Sequence, residues 1–174
     1  MLLKIMADHL IDIVNEKDEV IGSEMKSKKS ELGFISRVSA VFVKDSSGKI
    51  MICKRGPHKK TSPNKFDLSA CGNVDAGEIY EKAAERELFE ETGIKCQPKM
   101  LDKFYQEVDE NGKNFKYFTG IFLAESNQDP QLNEELVAFR RMSVGEIETE
   151  MQETPEIFCQ GFIKDFNQVK EKLK

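Results

Sequence analysis

The sequence holds no tryptophan, only two histidines (His9 and His58) and four cysteines, none of them in a Cys-x-x-Cys pair. A zinc centre therefore has little to work with, since structural zinc needs four Cys or His ligands at short spacings. Cys53, Cys71, Cys96 and Cys159 read as reduced thiols of a cytoplasmic protein, with Cys53 and Cys159 as small core fillers. No apolar run approaches membrane-spanning length. The stretch 1–14 is interrupted by Lys4, Asp8, His9 and Asp12, which excludes a signal peptide. Positive charge is also short: Lys plus Arg total 26 against 31 Asp plus Glu, a net charge of −5. Without a basic stripe, duplex nucleic acid is not an expected partner, nor is a membrane. What remains is a chain of 174 residues, enough for one domain with a working core, as monomer or homodimer. A phosphate-bearing small molecule would have to be met by local Lys, Arg and metal instead of a global field.

Against that background one segment stands out, GNVDAGEIYEKAAERELFEETGI at 72–94. Its pattern predicts a helix from about 78 to 92, ended by Gly93 as a left-handed cap and Ile94 as its hydrophobic contact. At about 100° per residue, Glu90 and Glu91 fall about 60° and 40° to either side of Glu87. Tyr80, Ala83, Ala84 and Leu88 share that side, so the acids face the protein, while Glu81, Lys82, Glu85 and Arg86 face solvent. Phe89 also falls outward and spoils the pattern. Glu87 and Glu91 are like charges at i,i+4, which costs helix stability, and burying them unpaired costs more. A divalent cation with a taste for hard oxygen ligands, Mg²⁺ or Mn²⁺, removes both penalties.

The spacing resembles the Nudix box: Gly72, Glu78, Arg86, Glu87, Leu88, Glu90, Glu91, Gly93 and Ile94 fill its fixed positions. The resemblance implies an α/β (α+β) fold, a Nudix-type α/β/α sandwich with a mixed sheet, formed by a single domain over 1–174. It also implies metal-dependent hydrolysis of a diphosphate, such as a nucleoside diphosphate linked to another moiety. In such a site Glu87, Glu90 and Glu91 hold the metal with help from the Gly72 carbonyl. Glu90 serves either as third ligand or as the base that activates water. Arg86 and Glu78 pair to fix the loop-helix geometry, together with the Gly93 cap. Glu134 and Glu135 stand where such enzymes often place an extra catalytic or metal-binding glutamate. Arg55, at the end of MICKR, is a candidate to meet a substrate phosphate bidentately.

The rest of the chain reads as sheet segments wrapped around that helix. An N-terminal hairpin is expected at about 9–25, two apolar strands joined by Asp-Ser-Ser-Gly at 37–55, and a basic loop at 56–65. A second hairpin at 100–126 turns at Glu-Asn-Gly-Lys. LVAFRRM is a strand, a short helix follows Ser143, and an amphipathic helix covers about 155–173 with Pro155 in its first turn. Phe104, Tyr105, Phe115, Tyr117 and Phe118 alternate along a hairpin and read more readily as core than as base-stacking surfaces.

The N-terminal hairpin and FDLSACGNVDAGE are most similar to the branch related to isopentenyl-diphosphate isomerase, whose proton transfers need a cysteine, a glutamate and a histidine-held metal. Cys71 stands at the cysteine position. However, Asn73 and Ser36 replace two of the histidines, and NGKNFKYF has no glutamate where the second acid belongs. Loss of the borderline ligands with the hard ones intact favours phosphate hydrolysis. A non-catalytic Nudix binding module is the third reading, and the intact acids argue against it.

Overall fold

A computed structural model describes residues 8–174; the first seven residues, including Lys4, lie outside the described part. The chain opens with a hairpin, β1 (Leu10–Val14) and β2 (Val20–Met25), in antiparallel register from Leu10↔Met25 to Ile13↔Gly22. Asn15 closes its turn by accepting from the Lys17 and Glu19 amides. A single 3-10 turn (Lys26–Lys28) then runs into the four-residue helix α1 (Lys29–Leu32), stopped by Gly33 in the left-handed region.

The spine of the sheet is β3 (Ile35–Lys44), and β8 (Lys113–Glu125) lies parallel to it along its whole length, from Ile35↔Lys116 to Lys44↔Glu125. The other edge of β3 is shared out in turn. β1 touches it at Ile35, β6 (Ala70–Asn73) covers 38–41, and β4 (Ile50–Arg55) pairs at Val43 and Lys44. β7 (Lys99–Glu110) extends the β8 side, while β5 (Phe66–Asp67) and β9 (Leu136–Met142) both pair with β4. One parallel pair among antiparallel ones makes the sheet mixed. The turns obey local chemistry: Asp45 accepts from Ser47 and Lys49, and Asn111 and Gly112 both take positive φ, as a tight hairpin turn demands.

Helices cover both faces. α2 (Tyr80–Thr92) packs Tyr80, Ala83, Ala84 and Leu88 on Val41, Val43, Met51, Ala70 and Phe122. On the opposite face α4 (Gln160–Leu173) sets Phe162, Phe166, Val169 and Leu173 against Phe42, Ile50, Ile52 and Ile121. The stacked rings of Phe158, Phe162 and Phe166 run along this core at 5.3 and 5.8 Å. Between β9 and α4 lies α3 (Val144–Glu153), started by a capping box of Ser143 and Glu146.

Two boundaries differ from the sequence expectation. The acidic helix begins at Tyr80, not 78, so Glu78 belongs to the loop before it, where its carboxylate accepts from the Asp75 amide. The C-terminal helix is broken. Pro155–Ile157 form a 3-10 turn, Phe158 is extended, and Cys159 donates its amide to Phe66 of β5. A strand contact at that point outcompetes the helical repeat, so the α-helix starts only at Gln160.

Candidate active site

The acidic helix is fastened at both ends. Ser39 of β3 donates to the Tyr80 carbonyl at 2.8 Å, and Thr92 donates to Leu88 just before Gly93 (φ 77°). Its inward face is the one the spacing predicts, and Phe89 does point outward, 47% exposed. Glu87 lies under Gly72 of β6, so close that a Cβ on that glycine would sit 2.0 Å from the carboxyl carbon. Glu91 accepts from the Cys71 amide at 3.2 Å. Glu90, which the spacing put on the inward side with the other two, is instead exposed, its side chain 40% accessible.

Arg86 is the hub of the segment. It donates to both carboxylate oxygens of Glu78 at 3.1 and 2.8 Å, to the Asn73 carbonyl at 3.0 Å and to Glu87 at 2.5 Å. Sequence periodicity put Arg86 toward solvent. The loop 74–79 folds back over it instead, leaving the side chain 26% exposed.

The charges are not balanced. Burial raises the pKa of Glu87 despite its bond to Arg86. Burial first, and then the charge of Glu87, push Glu91 up to about 8. Two carboxyls held this way want a further positive charge. Among the described residues, no three His, Cys, Asp or Glu side chains are arranged to hold a metal ion. Glu87 is turned to Arg86 and Glu91 to the Cys71 amide. The donor set nevertheless fits a hard divalent cation: carboxylate oxygens, a backbone carbonyl and a side-chain-free glycine that lets the helix approach β6.

Two loops border the acids. Lys59 stands close enough to lower the pKa of Glu91 and pairs with Glu135 at 2.8 Å. Glu134 presses its carbonyl onto Gly56, where a Cβ would come within 1.9 Å of that oxygen. The 133–135 loop thus sits on the rim of the acidic helix through Lys59. Arg55 is engaged elsewhere. It donates to Asp67 at 3.0 Å, to the Thr61 carbonyl at 3.2 and 3.0 Å and to the Thr61 hydroxyl at 3.1 Å. It anchors the basic loop 56–65 and is not turned out toward a phosphate.

The aromatic candidates divide as alternation requires. Phe104 packs on the α4 core, Phe118 on the α2 core, and Tyr105, 40% exposed, meets Phe118 edge-on at 5.5 Å. Phe115 and Tyr117 lie beneath the Lys29 ammonium, at 6.0 and 4.7 Å. Sequence reasoning passed over Lys26 and Lys29. Lys26 lowers the pKa of Glu87, and Lys29 is 8% exposed with its ammonium 3.3 Å from the Asn73 side-chain oxygen. Only their i,i+3 spacing in KSKK hinted that they share a face. Also missed was Asp165 of α4, 3% exposed, which accepts from Gln106 at 2.7 Å and whose pKa burial pushes up to about 8. A surface groove of about 650 Å³, lined by Ile13, Ile21, Phe34 and Tyr105, includes none of these acids. Charge and donor chemistry, not volume, mark the site.

The Nudix-domain family model matches residues 34–160. The chain belongs to the Nudix family. It is 37% identical over 89 residues to a Nudix hydrolase of Deinococcus radiodurans, an alignment spanning 51% of this chain and 52% of the relative. It is also 26% identical over 162 residues to isopentenyl-diphosphate Delta-isomerase 2 of Photorhabdus laumondii, covering 92% of each. A solved Deinococcus radiodurans structure superposes with a TM-score of 0.67 at 24% identity, over 84% of this chain and 90% of that one. The α/β sandwich is thus the Nudix fold, and the chain is a Nudix hydrolase by its family and its curated relatives. Among the described residues no helix is long and apolar enough to cross a membrane.

Proposed function

We propose that this Nudix chain is a Mg²⁺- or Mn²⁺-dependent hydrolase of a diphosphate linkage, in a nucleoside diphosphate joined to another moiety or a similar small molecule. The observation that carries the proposal is the pair of carboxyls one helical turn apart, Glu87 and Glu91, both with raised pKa, the first of them beneath a glycine that leaves it room. Glu87, Glu90, Glu91 and the Gly72 carbonyl would hold the ion. When bound, it neutralises phosphate oxygens and acidifies an attacking water. The protein's own contribution is positional. Arg86 ties the loop to the helix, so that Glu78, Asn73 and Glu87 move as one piece. A bound cation would return Glu91, raised to about 8 without one, to its carboxylate form, so that it serves as a ligand or as a base for the attacking water. Glu90, more exposed, is the alternative. Glu134 and Glu135 would contribute from the rim, with Lys59 between Glu135 and Glu91.

The isomerase reading retains one specific support, the end-to-end similarity to the Photorhabdus laumondii isomerase. Against it, burial and then the surrounding carboxylates raise the Cys71 thiol well above its ordinary pKa, and its neighbour Asn73 accepts from a lysine. A panel of diphosphates (nucleoside triphosphates, dinucleotides, nucleotide sugars, coenzyme A, isoprenoid diphosphates) with Mg²⁺ or Mn²⁺ tests the proposal. Metal-dependent phosphate release that Glu91→Gln abolishes supports the hydrolase. Deuterium entering isopentenyl diphosphate without phosphate release would establish the isomerase instead.

A further inference from the structure

Lys29 is a buried cation with no anionic partner. Its side chain is enclosed by α1, β6 and β8, and among the described residues no carboxylate lies within 4 Å of the ammonium. Its hydrogen bond goes to the neutral Asn73 side chain, it lies over the rings of Phe115 and Tyr117, and the Cys71 thiol is near enough to act on it. Burying an ammonium without an anion is costly. The cost shows in the amine itself, whose pKa burial pushes down to about 7, with the nearby Lys26 adding repulsion.

The polar groups nearest the ammonium are donors, while the carboxylates that act on neighbouring Tyr117 and Cys71, Asp165 and Asp67 first among them, lie beyond 4 Å of it. Asn73 gives its oxygen to Lys29, which leaves its amide N–H groups without a described acceptor. Ser36 is fully buried and its hydroxyl has no hydrogen-bond partner. In the β3–β8 register Ser36 stands opposite Tyr117, and along β3 it alternates in phase with Ala40 and Phe42, which face α4. Lys29, Asn73 and Ser36 thus bring an ammonium, an amide and a hydroxyl to the α4 side of one sheet, each with unused donor capacity.

We propose that Lys29, Asn73 and Ser36 form an anion-binding subsite that receives a second negatively charged group, phosphate or carboxylate, at the far end of the diphosphate substrate. The inference rests on the hydrolase reading for what the substrate is, but not for whether the subsite binds anions. It also narrows the substrate class. The ammonium covers the ring faces of Phe115 and Tyr117, so a nucleobase is not stacked there, and a compact anionic leaving group fits instead.

The test uses the full chain. In EDTA, inorganic phosphate is titrated while the melting temperature and amide NMR shifts are followed. Wild type should show saturable stabilisation with shifts at Lys29, Asn73 and Ser36. Lys29→Met should weaken phosphate binding about 10- to 100-fold, the worth of a charge-assisted hydrogen bond, and Lys29→Arg should retain part of it. Ser36→Ala removes one hydroxyl from a strand and serves if Lys29→Met does not fold; it should weaken binding several-fold. In turnover, Lys29→Met should raise KM for diphosphates with an anionic far end by about tenfold or more, and by more than it does for neutral-ended ones. Phosphate and carboxylate ends are distinguished by comparing matched substrates. Glu91→Gln should lose turnover yet keep phosphate binding in EDTA, so failure of the hydrolase reading would be visible separately. Phosphate binding unchanged in both Lys29→Met and Ser36→Ala, or absent from wild type at tens of millimolar, would overturn the subsite.

Discussion

Replacing Gly72 with alanine separates the acidic site from the fold that carries it. Gly72 lies within β6 opposite Ser39, and its φ is not in the left-handed region, so alanine meets no backbone strain. The added Cβ would sit 2.0 Å from the Glu87 carboxyl carbon and 2.1 and 2.5 Å from its oxygens. Moving from 2.0 Å to an ordinary contact of 3.4 Å requires the carboxylate to retreat about 1.4 Å. The atom that must move is the end of a flexible side chain. Alanine also gains about 0.5–1 kcal/mol over glycine in a strand, so net stability should change by no more than about 1 kcal/mol. Metal binding has no such tolerance, because Mg²⁺ demands near-octahedral geometry at bond lengths of about 2.1 Å. Mn²⁺ affinity, read from the free-ion EPR signal, should fall about 10- to 100-fold, and turnover at least as much. The melting temperature in EDTA should stay within a few degrees. An alanine variant that binds Mn²⁺ like wild type would refute the assignment of Glu87 and Gly72 to one metal site.

The remaining predictions use the same protein. Glu91→Gln removes a carboxyl whose pKa is raised to about 8, and a raised acid loses stability as pH rises from its unfolded value near 4.5 toward 8. In EDTA at pH 8 the variant should therefore be at least as stable as wild type, while saturating Mn²⁺ should stabilise only wild type, by about 2.7 kcal/mol at one hundred times Kd. Arg86→Ala strands Glu78 and Glu87 and frees the Asn73 carbonyl; urea unfolding should report a loss of about 2 kcal/mol, with Arg86→Lys in between. Asp165→Asn keeps the acceptor for Gln106 but cannot ionise. Because Asp165 titrates near 8 when folded against an ordinary 3.8, wild type loses stability across that window and the variant should not, gaining about 1–3 kcal/mol at pH 8 and little at pH 5. Equal pH slopes in the two proteins would mean that Asp165 is solvated.

Local chemistry was readable wherever one face of an element meets one environment. The inward face of the acidic helix, Tyr80, Ala83, Ala84 and Leu88, follows from spacing alone, and so does outward Phe89. LVAFRRM is a strand residue for residue, and the Asn-Gly turn closes its hairpin. Where a distant segment decides, composition is silent. Nothing near Phe158 announces that it will bridge to Phe66 and interrupt the C-terminal helix. Arg55 ends a strand as a phosphate ligand would, but Thr61 and Asp67 claim it. Lys29 is the hardest case, because its hydropathy argues for solvent and only the packing of α1 on β8 buries it.

Both halves of the proposed chemistry meet on β6, and strand alternation explains how. Ala70 and Gly72 face α2, where Gly72 makes room for Glu87; Cys71 and Asn73 face α4, where Asn73 accepts from Lys29. Apart from its pairing with β3, β6 has no strand neighbour among the described residues. The Cys71 amide is accordingly free to donate to Glu91 instead of to a ladder partner. A substrate that reaches the carboxylates with its diphosphate and Lys29 with its far end would pass this unpaired edge.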